Sequence, residues 1–211
     1  MSRKLKIYIA DDHPLFRKAL VTLVKTLSGV ADVKDAENGK ELLALVRQDA
    51  PHVCIVDLQM PVMDGVETTS KLVSAFPDIK VIILTMDDHD KQIIQMIELG
   101  AHAFLHKTTD PDELEKAIHA VVEKDFYHND LVASAMRKGL KNKNKTSAEL
   151  TERELEIIRM VCDEKTNKEI GDKLSLSERT IETHRARIME KLHIRTAIGL
   201  VKFAYENDVI R

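Results

Sequence analysis

The sequence predicts an α/β fold, a doubly wound parallel sheet of (βα)5 pattern, followed by a small all-α unit of four helices. Three observations predict it. Five short strand-like runs, LKIYIAD (5–11), the weaker VADVKDA (30–36), HVCIVDL (52–58), KVIILT (80–85) and AFLHK (103–107), alternate with segments of helical period, as strands covered by helices on both faces do. From residue 150 onward no strand signal remains. Near the C-terminus two helical segments are separated by SLS (175–177), and the second is long and basic, the pattern of a helix-turn-helix.

The intervening helices follow in order. PLFRKALVTLVKTLSG (14–29) spaces Leu20, Leu23, Val24 and Leu27 along one face, with Pro14 suited to the first turn and Gly29 to the end. GKELLALVRQDA (39–50) is closed by Pro51. GVETTSKLVSAF (65–76) is a helix whose two threonines weaken the local preference. HDKQIIQMIELG (89–100) ends on a capping Gly100, and PDELEKAIHAVVEK (111–124) starts at proline. These place a first domain at residues 1–124. Residues 125–147 read as a linker in which LVASAMRKGL (131–140) has room for a helix; KNKNKTSAE (141–149) is polar and basic. Residues 148–211 form the second domain. Its first two helices open on capping boxes, Thr151 with Glu154 and Thr166 with Glu169. Ser177 is the natural N-cap of the third, with Ile181, Ile188 and Leu192 as its apolar stripe, and TAIGLVKFAYENDVI (196–210) is the fourth.

Composition narrows the function. The apolar content of 44% permits a sizeable core, and no apolar run reaches the ~18 residues of a membrane span. The start lacks a signal-peptide pattern, and Cys54 and Cys162 read as buried thiols, not a disulfide, so a cytoplasmic location without membrane partners is expected. Residues 1–124 carry 15 Lys and Arg against 20 Asp and Glu; residues 148–211 carry 12 against 13. Nucleic-acid binding would therefore need a local basic patch. The nine histidines have no zinc spacing and read as surface or helix-end residues.

The polar residues at the strand ends are the chemical signal. Asp11 and Asp12 close the first strand, Asp57 the third, Thr85 the fourth and Lys107 the fifth. In an open parallel sheet these ends converge on the ligand crevice. Taken alone, Asp11 and Asp12 could simply cap the next helix. Gathered with Asp57, they would repel one another unless a cation intervened, and hard oxygen ligands suit Mg²⁺. A carboxylate so placed can act as a nucleophile toward phosphorus, with Lys107 and Thr85 supplying positioning and charge.

The stretches IADDHPLFR, VDLQMPVMDG, VIILTM and GAHAFLHKTT resemble the receiver domain of two-component response regulators, and LTERELEIIRMV with NKEIGDKLSLSERTIETHRARIMEKL resembles a LuxR-type helix-turn-helix. Together these make the chain similar to NarL/FixJ-type regulators. The resemblance implies a flavodoxin-like receiver, not an enzyme beyond assisting its own Mg²⁺-dependent aspartyl phosphorylation and dephosphorylation. It implies that Asp57 accepts a phosphoryl group from a sensor histidine kinase. Asp11, Asp12, Asp57 and the main-chain carbonyl of Gln59 would bind Mg²⁺, Lys107 and Thr85 would contact the phosphoryl oxygens, and Phe104 would turn inward as the switch aromatic. Gln59 and Asp87 would tune hydrolysis, and Lys165, where such domains often carry glycine, would alter the turn before the second helix.

For the second domain the resemblance implies binding to double-stranded DNA and dimerisation on phosphorylation, with the last helix, Ala197 to Tyr205, as the dimer surface. Glu182 and Thr183 would read base edges. Lys168, Arg179, Thr180, Arg185, Arg187 and Lys191 would be further DNA contacts, chiefly to phosphates, while His184 and Ile188 have the spacing to face the core. Two other readings compete. A haloacid dehalogenase-type phosphatase would want an aspartate where Gln59 stands, and a phosphorylation-independent regulator with a degenerate receiver would lack part of the set Asp11, Asp12, Asp57, Thr85 and Lys107.

Overall fold

A computed structural model describes residues 4–86, 89–139 and 150–210. Five parallel strands, β1 (Leu5–Ala10), β2 (Val30–Ala36), β3 (Val53–Val56), β4 (Lys80–Thr85) and β5 (Ala103–His106), lie in the order β2-β1-β3-β4-β5. Helices α1 (Pro14–Thr26), α2 (Gly39–Gln48), α3 (Gly65–Ala75), α4 (Asp90–Leu99) and α5 (Pro111–Glu123) connect and follow them. The expected (βα)5 pattern is present throughout. The first helix is shorter than its apolar spacing suggests: it stops at Thr26, and Gly29, at φ 79°, instead turns the chain into β2.

Strand side chains alternate between two cores. Ile7, Ile9, Val53, Ile55, Ile82, Leu84, Ala103 and Leu105 pack with Leu20 and Val24 of α1 and Leu114, Ile118 and Val121 of α5. Tyr8, Ala10, Cys54, Val56, Val81, Ile83 and Phe104 pack with Leu42, Leu72, Ile93 and Met96 on the other face. The two threonines in α3, Thr68 and Thr69, are fully buried, and Thr68 sits where a Cβ on Gly39 would be. The glycine therefore lets α2 and α3 approach closely.

A helix α6 (Asp130–Gly139) falls in the stretch expected to be a linker; the KNKNKTSAE reading of 141–149 lies outside the described residues. Residues 125–129 run along the exposed edge of β5. The Tyr127 amide donates to the His102 carbonyl at 3.0 Å, and Asn129 Nδ2 to the Phe104 carbonyl at 3.4 Å. This blunts the sheet edge and lays α6 against α4.

The C-terminal helices are α7 (Glu152–Cys162), α8 (Asn167–Leu174), α9 (Glu178–Lys191) and α10 (Ala197–Glu206). Both expected capping boxes form, and Ser177 caps α9. Ahead of α8 the left-handed residue is Glu164, at φ 56°, one position before Lys165. Within α8, Gly171 is needed because a Cβ there would lie 2.7 Å from the carbonyl oxygen of Leu176, in the turn that leads to α9. Cys54 and Cys162 are both free thiols. Among the described residues no helix is long and apolar enough to cross a membrane.

His102 is 4% exposed beneath this arrangement, and its Nδ1 accepts from the Val81 amide at 3.1 Å. Burial pushes its pKa down to about 4, with Asp125 opposing and Lys80 assisting the fall. Below the ordinary histidine pKa the unfolded chain binds this proton and the folded chain does not, so stability declines as pH drops from about 6.5 toward 4. The expected contribution is roughly 2–4 kcal/mol across that window. Thermal melts against pH should show His102→Asn flattening the acid limb relative to wild type; parallel limbs would remove His102 from this role.

Candidate functional site

The crevice lies where the sheet changes winding direction, between β1 and β3, whose ends are in register at Ala10 and Val56. Asp11 and Asp57 are the next residues of these strands. The Asp11 amide donates to Ala36 at 3.2 Å and the Asp57 amide to Ala10 at 2.9 Å, so the sheet ladder fixes both backbones. The chain leaves Asp57 through a loop that closes on Gly65, whose amide donates to the Leu58 carbonyl at 2.9 Å. A Cβ on Gly65 would stand 2.3 Å from the Asp57 carbonyl oxygen. Only glycine lets the first turn of α3 sit directly against the Asp57 backbone.

Lys107 Nζ reaches in from the end of β5 and lies 2.6 Å from Asp57 Oδ2 and 2.7 Å from Asp11 Oδ2. All three side chains are nearly closed to solvent, and the ammonium also stands 4.9 Å from the centre of the Phe16 ring. Burial pushes the Asp57 carboxyl above the usual carboxylate range; the Lys107 hydrogen bond opposes this, and the Asp11 charge adds to it. Burial pulls the Lys107 ammonium the other way, and its hydrogen bonds to Asp11 and Asp57 more than offset that, leaving it raised and charged. Two carboxylates thus share one cation.

Asp12 completes an acidic cluster. Ligand atoms of Asp11, Asp12, His13 and Asp57 all lie within 4.8 Å of one another, so the cluster could hold a metal ion. Asp12 Oδ1 is buried and accepts no hydrogen bond, although His13 Nδ1 is 2.8 Å away. Three carboxylates gathered this closely suit a hard cation with oxygen ligands. Asp12 and Gln59 line a cavity of about 530 Å³ beside the cluster. The Gln59 main-chain amide also bonds the Asp57 carboxylate.

Thr85 is 1% exposed at the end of β4, and its carbonyl accepts from the Lys107 amide at 2.8 Å. Phe104 was expected to turn inward on switching. Here it is already inward, at 1% exposure, in the core it shares with Ile93 and Met96 of α4 and Val132 and Met136 of α6. Asp87 lies outside the described residues. Asp11 does not cap α1; its Oδ1 accepts from the His13 amide at 2.8 Å, and His13, the residue at the N-cap, makes no side-chain cap bond.

Two residues at this site escaped the sequence reading. His13 stands at a helix end, the N-cap of α1, as the reading of the histidines allowed, but its place in the acidic cluster was not foreseen. Arg17 is 5% exposed and bonds the Asp11 carbonyl. Its signal was visible: at three and seven residues before Leu20 and Val24 it occupies the apolar stripe of α1, where a charged side chain needs partners.

On α9, Glu182, Thr183 and Arg187 are exposed, as are Arg179 at its start, Lys191 at its end and Lys168 on α8. Thr180 is half-buried and its Oγ1 lies 2.7 Å from Ser177 Oγ. Lys191 pairs with Glu154 at 2.9 Å. Ile188 is buried and His184 half-buried. Arg185, expected among the DNA contacts, does not face solvent in this arrangement. Arg185 is 5% exposed; Nη1 donates to Asn167 Oδ1 at 2.5 Å, and Nη2 lies 3.7 Å from Asp125 Oδ2. Burial lowers its pKa against the pull of Asp125.

That contact belongs to a wider one between the sheet layer and the C-terminal helices. Asp125 also pairs with Lys80, Glu164 pairs with Lys124 at 3.1 Å and with His128 at 3.2 Å, and Lys202 of α10 meets Glu98 of α4 at 2.7 Å. The face of α10 expected to be free for dimerisation is covered: Ala197, Ile198, Leu200, Val201, Phe203 and Ala204 are all buried, with α10 packed on α4, α6 and α7.

Known proteins bear out this two-part organisation. Residues 7–119 match the response regulator receiver domain, and residues 148–204 match the luxR family of bacterial regulatory proteins. The oxygen regulatory protein NreC of Staphylococcus carnosus is 32% identical over 98% of this chain and 99% of its own. The transcriptional regulatory protein YxjL of Bacillus subtilis is 31% identical over 99% and 98%. A structure of the RcsB response regulator of Salmonella typhimurium superposes with a TM-score of 0.58 at 25% identity, covering 95% of this chain and 97% of that one. The acidic crevice and the capped C-terminal helices therefore sit in one architecture, and the chain belongs to the two-component response regulators of NarL/FixJ type, transcription regulators that join a receiver to a LuxR-type DNA-binding domain.

Proposed function

We propose that Asp57 is the phosphoacceptor through which a sensor histidine kinase controls DNA binding by α9. The observation that carries this reading is the Lys107 ammonium within 2.7 Å of both Asp57 and Asp11, with Asp12 alongside. In the transfer, an Asp57 carboxylate oxygen attacks the phosphorus of a phosphohistidine; the P–O bond forms as the P–N bond breaks, and the imidazole leaves and takes up a proton. Asp11, Asp12, Asp57 and the Gln59 carbonyl would hold Mg²⁺, which when bound neutralises charge on the transferred group. Lys107 then exchanges its Asp57 contact for a phosphoryl oxygen, and the Thr85 hydroxyl donates to another. Water attack on the acyl phosphate resets Asp57.

The output follows from connectivity. In chain order α4 is the next helix after Thr85, and α4 carries Glu98, the partner of Lys202 on α10. A shift at Thr85 biases the packing of α4 against α10 and of Asp125 against Arg185. Release frees Arg185 for phosphate contact beside Lys168, Arg179, Arg187 and Lys191, presents Thr180, Glu182 and Thr183 to the major groove, and uncovers α10 as the surface of a homodimer. The domain limits 1–124 and 148–211, joined by 125–147, and action in the cytoplasm complete this reading.

Genomic footprinting with and without acetyl phosphate tests it. Protected sites should appear or strengthen with phosphodonor in wild type and stay at the basal level in Asp57→Ala. Equal footprints in all four samples would refute phosphorylation control.

A further inference from the structure

We infer that Arg17 is a positioning residue for the cation-binding carboxylates, acting through the peptide bond between Asp11 and Asp12; the inference rests on the phosphoacceptor reading above. Arg17 is on α1, outside the acidic cluster, and nearly closed to solvent. Each of its three guanidinium nitrogens donates a hydrogen bond. Nη1 donates to the Asp11 carbonyl at 2.6 Å, Nε to Asp35 Oδ2 at 3.0 Å and Nη2 to Glu37 Oε1 at 2.9 Å.

The Asp11 carbonyl and the Asp12 amide belong to one rigid peptide plane. Holding that oxygen sets the rotation of the plane, and with it the direction in which both residues project their carboxylates. The other constraints on Asp11 act elsewhere: Ala36 accepts from its amide, and the His13 amide and Lys107 hold its two carboxylate oxygens. None of these bonds the carbonyl. Arg17 also ties the end of β1 to the end of β2, since Asp35 is the last residue but one of that strand and Glu37 directly follows it.

Arginine is the residue for this task because its planar fork offers several donors in fixed relative directions, which an ammonium does not. Its charge faces Asp35 and Glu37 on the far side. Those pairs offset the positive field that would otherwise oppose a cation at Asp11 and Asp12, so Arg17 contributes orientation without repelling the ion.

Calorimetric titration of the full chain with MgCl₂ tests this, alongside thermal melts and the rate of acetyl phosphate labelling as a function of Mg²⁺. Arg17→Met should weaken Mg²⁺ binding by about 10-fold, the usual scale for groups that orient metal ligands. Arg17→Lys should lose less. Labelling by Arg17→Met should need correspondingly more Mg²⁺ for half-saturation, yet approach the wild-type maximal rate once saturated. Mg²⁺ affinity within twofold of wild type in a folded Arg17→Met protein overturns the inference, as does a reduced maximal rate at unchanged half-saturation. If Arg17→Met does not fold, Asp35→Ala/Glu37→Ala, which alters two exposed carboxylates and slackens the same guanidinium, should show a smaller loss in the same direction; unchanged affinity there overturns it. Wild-type protein that is labelled at Asp57 and binds Mg²⁺ while the variants match it sinks the positioning role alone. Wild-type protein that binds no Mg²⁺ sinks the metal reading and this inference together.

Discussion

Asp57→Asn is expected to cut phosphoryl incorporation from acetyl phosphate by at least about 10²-fold, because the amide is no nucleophile and the step has no substitute for it. Intact-mass measurement after incubation with Mg²⁺ and acetyl phosphate reads this directly. The fold should tolerate the change. Asp57 and Asp11 share the single ammonium of Lys107, and burial already pushes the Asp57 carboxyl upward. Removing one of two crowded negative charges relieves repulsion while the amide oxygen can still accept from Lys107. The melting temperature should therefore stay level or rise, which separates lost chemistry from lost structure. An adduct of equal yield in Asp57→Asn would show that another residue accepts the group. The raised pKa adds a pH signature. The carboxylate form of Asp57 is lost as pH falls through a value above that of an ordinary aspartate, so metal-free reactivity declines earlier on the acid side than for an exposed carboxylate.

Glu98→Lys is expected to raise DNA affinity of the unphosphorylated protein by about 10-fold, since it sets two ammonium groups against each other across the α4–α10 contact and like charges there cost on the order of 1–2 kcal/mol. Lys202 Nζ now lies 2.7 Å from Glu98 and 3.4 Å from Glu206. The substitution is on the sheet layer, so the proposed DNA contacts on α8 and α9 are untouched. Adding Lys202→Glu should restore an opposite-charge pair and return affinity toward wild type. Fluorescence anisotropy with a footprinted site at fixed salt measures both. In the Glu98→Lys background, Arg185→Ala should lower the salt slope by about one unit; without it the buried Arg185 has less to contribute. Affinity unchanged by Glu98→Lys would mean that this contact does not restrain the DNA-binding helices.

Much of the fold was legible because its signals are local. Pro14 and Pro111 start helices, Gly100 ends one in the left-handed region, and Thr151, Thr166 and Ser177 accept the hydrogen bonds their positions suggested. Gly29 was misread because a glycine after a helix looks the same whether it caps the helix or turns the chain two residues later. The acidic site was legible for a topological reason: parallel strands end on one side, so residues ending separate runs must meet. Arg17 was missed because it looked like an ordinary helix cation, and the nearness of His13 to the carboxylates because a helix-end position does not by itself say which strand ends lie beside it.

By itself the sequence determined the alternation of strands and helices, the meeting of Asp11, Asp12, Asp57 and Lys107 at one end of the sheet, and the helix-turn-helix. Each follows from periodicity, capping or strand polarity, which depend on neighbours within a few residues or on chain order alone. Only the tertiary structure decided that Phe104 lies inward, that Arg17 grips the Asp11 carbonyl, and that Arg185 and α10 are turned toward the sheet layer. These depend on contacts between segments far apart in the chain. Arg185 and Asp125 are sixty residues apart, and an exposed arginine and a buried one have the same local sequence until the fold supplies, or withholds, the opposite charge.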